Sequence, residues 1–151
     1  WHVARSYGAT ELNPEDGEPY SGKNNPVFIG QIYASKRLNY KSNLQLGINF
    51  LDNGGVRERM RRDHGNGLHL EDREYRRIAL MLGHELTISP RVALLTQLGI
   101  YVYNPYPHVD KAVFQRYGLK YYFTDHIFGG FCLNTHFAKA DIIEYSVGYK
   151  F

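Results

Sequence analysis

The sequence predicts an all-β fold: an eight-stranded antiparallel up-and-down transmembrane β-barrel, one domain covering residues 1–151. Three observations predict it. The stretch Asp141–Phe151 alternates strictly. Ile143, Tyr145, Val147, Tyr149 and Phe151 are apolar or aromatic, and Glu144, Ser146, Gly148 and Lys150 between them are polar or small. Period two is the mark of a strand with two unlike faces, and an aromatic-rich strand closing the chain suits an outer-membrane barrel. The connections alternate between long and short, as the two ends of such a barrel do. The face opposite the apolar one carries Glu85, Gln97, Arg116, Lys120, Glu144 and Lys150. A small barrel with a polar, filled interior has this polarity, and a soluble lipocalin-like barrel has the reverse.

Eight strands follow in order: Trp1–Gly8, Val27–Arg37, Asn43–Leu51, Tyr75–Ile88, Val92–Tyr103, Phe114–Phe123, Ile127–Ala138 and Ile142–Phe151. Several reach the ~9–11 residues a tilted strand needs to cross a bilayer. The third is the clearest, with Leu44, Leu46, Ile48 and Phe50 against Gln45, Gly47 and Asn49. The fourth sets Ile78, Leu80, Leu82 and Leu86 against Arg77, Ala79, Gly83 and Glu85. The fifth sets Leu94, Leu98, Ile100 and Val102 against Gln97 and Gly99, and the sixth sets Tyr117, Leu119, Tyr121 and Phe123 against Arg116, Gly118 and Lys120. The second has apolar residues on both faces. Long connections, Ala9–Pro26, Asp52–Glu74 and Asn104–Ala112, follow odd strands. Short turns at Asn39–Ser42, Ser89–Arg91 and Thr124–His126 follow even ones, and the last connection, around Lys139, is tight. Both termini are therefore expected on the periplasmic side of a bacterial outer membrane.

Composition narrows the function classes. No run approaches the ~18 apolar residues of a spanning helix. One cysteine, Cys132, excludes an internal disulfide framework. A net charge of +3 does not argue for nucleic acid. A barrel of eight strands is filled by its own side chains, which disfavours a general porin. With no visible signal peptide, the chain is expected to be a mature or trimmed form.

The first chemical constellation lies at the C-terminal hairpin. If Lys139, Ala140 and Asp141 form a three-residue loop, His136 and Glu144 stand directly opposite, where facing Cβ atoms are ~4.5–5.5 Å apart. A carboxylate so placed orients an imidazole and stabilises its cation. The same two residues also suit a satisfied polar pair at the barrel rim.

The run Asn134-Thr135-His136-Phe137-Ala138-Lys139-Ala140-Asp141, with Glu144 and the Gly148-Tyr149-Lys150-Phe151 ending, resembles the C-terminus of the lipid A 3-O-deacylase (PagL-type) and acyloxyacyl hydrolase-like barrels. The resemblance is architectural over the whole chain and motif-specific over roughly the last twenty residues. It implies an outer-membrane barrel acting on ester-linked acyl chains of lipopolysaccharide. In that family a serine attacks the ester, a histidine is the base, a glutamate orients it and an asparagine helps hold the oxyanion. His136 matches the base and Glu144 the orienting acid, but the nucleophile position is Ala138 and the oxyanion position is Lys139. Without a hydroxyl in reach, histidine cannot run this acyl transfer. Ser146, Thr135 and an Asp141-assisted water are the substitutes the sequence offers. A non-catalytic barrel of the same lineage, an accessory or structural subunit beside other outer-membrane proteins, is the alternative. The long loops alone also suit a surface-binding adhesin.

The second constellation is the charged loop holding Arg57, Arg59, Arg61 and Arg62, with Arg73, Arg76 and Arg77 at its far end. Guanidinium groups bind phosphate in forked geometry, so these arginines are candidates for lipopolysaccharide phosphates. The interspersed Glu58, Asp63, Glu71, Asp72 and Glu74 equally suit a solvated loop with internal ion pairs. His64 and His69 match no standard ligand spacing, so neither metal nor cofactor is expected. Cys132 reads as a small interior filler. Tyr101, Tyr103 and Tyr106 at one end, with Tyr121, Tyr122, Tyr149 and Phe151 at the other, read as aromatic girdles.

Overall fold

The computed structural model describes residues 1–11, 24–55, 57, 76–105, 112–136 and 139–151. They form eight strands: β1 (His2–Glu11), β2 (Asn24–Arg37), β3 (Ser42–Asn53), β4 (Arg76–Ser89), β5 (Val92–Tyr103), β6 (Val113–Tyr122), β7 (Ile127–His136) and β8 (Lys139–Lys150). Each pairs antiparallel with the next, and β8 pairs with β1 to close the barrel. Closure leaves no free sheet edge, the condition for a β-protein to lie in a bilayer.

The period-two pattern gives each strand one outward and one inward face. On β3 the outward Leu46 is 63% exposed and the inward Gln45 is 0% exposed. On β8 the contrast is Tyr145 at 63% against Glu144 at 0%. Apolar side chains therefore cover the outside, and Gln31, Gln45, Asn49, Glu85, Gln97, Arg116, Lys120 and Glu144 fill the lumen. In water this arrangement would expose the large residues and bury the charged ones; in lipid it is the stable one.

β2, apolar on both faces in the sequence, turns Val27, Ile29, Gln31 and Tyr33 inward. Val27 and Ile29 join Leu51, Ala79, Phe114 and Ile142 in an apolar plug below the long-loop end. The other end of the lumen packs Ala4, Tyr33, Met81 and Phe128 together. Inward aromatics need room, which facing glycines provide: Phe114 lies opposite Gly99, Phe128 opposite Gly148 and Tyr33 opposite Gly47. At each of these glycines a Cβ would collide with the aromatic residue.

Three expectations change. β1 and β2 run further toward the long-loop end than the apolar pattern does, to Glu11 and from Asn24, because their backbones complete the ladder whatever their side chains. Lys150 is exposed at the end of β8 and not in the lumen. Tyr122 and Tyr101 turn inward and are not girdle residues: Tyr122 bonds Glu85, and Tyr101 packs on Phe114 with ring centroids 5.1 Å apart. Tyr103, Tyr121, Tyr149 and Phe151 stay on the outer face, and Tyr106 lies outside the described residues.

Candidate functional site

The hairpin expected to carry chemistry has a different register from the one its loop length suggests. Its ladder pairs His136 with Lys139 and Thr135 with Ala140, then resumes with Asn134 opposite Ile142. Asp141 is the extra residue of this β-bulge, the device by which a strand re-aims its side chains near a rim. Below it, Glu144 stands opposite Cys132, not opposite His136. Cys132 and His136 are four positions apart, about 14 Å at roughly 3.4 Å per residue. The expected His136–Glu144 juxtaposition is therefore not formed. The sequence could not show this, because one bulged residue changes the register without changing the alternation.

Glu144 has other partners. It accepts a charge-assisted hydrogen bond from Arg116 on β6, and Asn134 Nδ2 donates to its second oxygen at 3.4 Å. Arg116 also donates to Ser6 Oγ at 3.0 Å and to Gln97 Oε1 at 3.3 Å. Gln97 Nε2 donates to Gln45 Oε1 at 3.0 Å, and Gln45 Nε2 donates to Glu85 Oε2 at 2.9 Å. Glu85 pairs with Lys120 at 2.9 Å and accepts a hydrogen bond from the Tyr122 hydroxyl at 2.9 Å. Lys120 further donates to the Tyr33 hydroxyl at 3.1 Å and lies 3.9 Å from the Phe128 ring centroid. Two buried ion pairs are thus joined by glutamines into one polar column. Such groups are tolerated in a low-dielectric interior only when paired and hydrogen-bonded. Gln45, Glu85, Gln97, Arg116, Lys120 and Glu144 were legible from strand parity. Ser6, Tyr33 and Tyr122 join them through tertiary proximity.

The substitutes for a missing serine fare as follows. Ser146 faces Gly130, six positions below His136 in register. The Thr135 hydroxyl donates to the Gln115 carbonyl at 3.4 Å. Asp141, Lys139 and His136 meet at the bulge as backbone, and their side chains lie outside the described residues, as does all of Ala138. Of the loop arginines, Arg57 is exposed, and Arg59, Arg61 and Arg62 lie outside the described residues with His64 and His69. Cys132 is a buried free thiol beneath Gly118, in keeping with an interior filler. Among the described residues no cluster of His, Cys, Asp and Glu could hold a metal ion.

Comparison with known proteins places this geometry. The family model described as acyloxyacyl hydrolase, C-terminal domain, matches residues 1–151. The crystal structure of Ail, the attachment invasion locus protein of Yersinia pestis, is similar with a TM-score of 0.53 and 10% sequence identity, over 99% of this chain and 97% of that one. At that identity the likeness is one of fold. No curated protein sequence matches the chain.

Proposed function

This chain belongs to the acyloxyacyl hydrolase C-terminal domain family, and from that premise we propose that it is a bacterial outer-membrane barrel that engages the acylated lipid of lipopolysaccharide without hydrolysing it. The observation that carries the non-hydrolytic reading is the register of β7 and β8. Glu144, the residue matching the orienting acid, is committed to Arg116 four positions below His136. The position matching the nucleophile is Ala138. A base with neither nucleophile nor orienting acid lacks both partners of the acyl-transfer triad. The barrel keeps the family's lipid-facing wall and its long-loop end, which in this reading faces outward with both termini periplasmic. In this reading the arginines from Arg57 to Arg62 meet lipopolysaccharide phosphates, and an accessory place beside other outer-membrane proteins is the cellular form of the role.

The test is fatty-acid release. The purified barrel in detergent, given lipid A beside an active deacylase, is expected to release none and still to co-migrate with the lipid. Restoring serine at Ala138 with asparagine at Lys139 is not expected to be enough, because Glu144 remains out of reach.

A second reading is hydrolysis by His136 acting on water with Asp141. The whole-chain family match and the bulge that brings Asp141 to the His136 end of β7 favour it. Its signature is fatty-acid release that His136→Ala and Asp141→Asn abolish and Glu144→Gln spares.

A further inference from the structure

A groove of about 780 Å³ crosses the outer wall of the barrel from β1 to the end of β5, lined chiefly by outward-facing side chains. Gly30 on β2 lines it. In the ladder it stands between Arg5 on β1 and Phe50 on β3, with Phe28 and Ile32 on its own strand. A Cβ added at Gly30 would meet only the Cβ of Phe50, at 4.0 Å, and the backbone there is not in the left-handed region. Neither packing within the barrel nor backbone geometry calls for glycine. What its missing side chain leaves is a notch in a wall of large apolar residues.

Arg5 stands beside that notch. It faces outward between Val3 and Tyr7, with Val147 as its neighbour on β8. Its guanidinium carbon lies 5.8 Å from the Phe28 ring centroid, so the side chain leans toward the long-loop end. No carboxylate pairs with it among the described residues. A cation on the lipid face is costly unless it reaches the interface or finds an anion. One register row nearer the long loops, Arg76 and Asp52 close the groove at 3.9 Å, both part-exposed. Among the described residues, Arg5 adds a second guanidinium to this edge, beyond the Arg76–Asp52 pair.

We infer that this groove seats one anionic membrane lipid. Its phosphate lies between Arg5 and Arg76, and an acyl chain runs down the notch over Gly30 toward Val3 and Ile32. Forked guanidinium donors suit phosphate oxygens, and an acyl chain restores the apolar contact that glycine leaves unmade. The inference deepens the lipid-engaging role by naming its surface. It rests on the bilayer placement proposed above and is independent of whether the barrel hydrolyses anything.

The intact barrel, refolded in detergent, is titrated with phosphatidylglycerol and with phosphatidylcholine of the same chains, and bound lipid is counted by native mass spectrometry. Phosphatidylglycerol is expected to be retained at least ten-fold better. Gly30→Leu, which fills open space, and Arg5→Gln are each expected to lower its retention at least ten-fold while heat-modifiable migration persists. Leu119→Phe, on the outer face of β6 across the barrel from β2, should change nothing. Equal retention of the two lipids, or undiminished retention in a folded Gly30→Leu barrel, overturns the inference. A chain that stays soluble without detergent overturns the bilayer placement instead.

Discussion

Arg116 on β6 and Glu144 on β8 form an ion pair that reaches past β7 inside the lumen, with the two side chains 1% and 0% exposed. A charge this deep is stable only with its partner. The family-matched acid is thereby a structural element, and its removal should be felt as lost stability. Glu144→Ala is expected to destabilise the barrel by about 3–5 kcal/mol, the cost of an uncompensated buried charge. Replacing both partners, Arg116→Met with Glu144→Leu, should recover most of it. Urea unfolding in micelles, followed by heat-modifiable migration, reads both. A loss under ~1 kcal/mol in the single variant would show the pair to be dispensable.

The second buried pair allows a cycle. Lys120 contacts Glu85, Tyr33 and the Phe128 ring at once. Lys120→Met and Glu85→Gln are each expected to cost about 3 kcal/mol or more. Because the two share one hydrogen-bond network, their double variant should fall short of the sum by 0.5–3 kcal/mol or so. Strict additivity would mean that the two groups are not coupled.

The glycine–aromatic pairs are a steric prediction. Gly99 accommodates the Phe114 ring at a facing position. Gly99→Val is expected to cost about 1–3 kcal/mol through overpacking. Trimming the ring in the same chain, Phe114→Ala, should make Gly99→Val less damaging than it is in the parent. Equal damage in both backgrounds would separate the glycine from the ring.

The outer wall separates lipid from water as its solvent. Leu46 is 63% exposed near the middle of β3. On a soluble barrel Leu46→Lys would be nearly neutral. On a membrane barrel a lysine near the bilayer midplane is expected to cost about 2–4 kcal/mol, falling toward the interfaces. Refolding into vesicles across a urea series measures it, and a neutral result would remove lipid from that face.

Much of the fold was legible before any coordinates. Leu44, Leu46, Ile48 and Phe50 alternate with Gln45, Gly47 and Asn49, and a strand has only two faces, so parity alone assigns inside and outside. Opposite-sign lumen residues were readable in the same way. Tyr101 and Tyr122 were misassigned because tyrosine suits both an interfacial belt and a polar lumen, and its composition does not choose between them. The candidate site was less legible. His136 and Glu144 have the right chemistry in the right hairpin, but one bulged residue decides which side chains face each other.

The sequence by itself therefore determined the strand count, the polarity of the wall and the family likeness of the last hairpin, because these depend on local periodicity and residue type. Only the tertiary structure decided that Glu144 belongs to Arg116 and not to His136, and that Gly30 leaves a notch beside Arg5. Both are relations between strands, set by ladder register and barrel closure, and neither leaves a trace in the order of residues along any one strand.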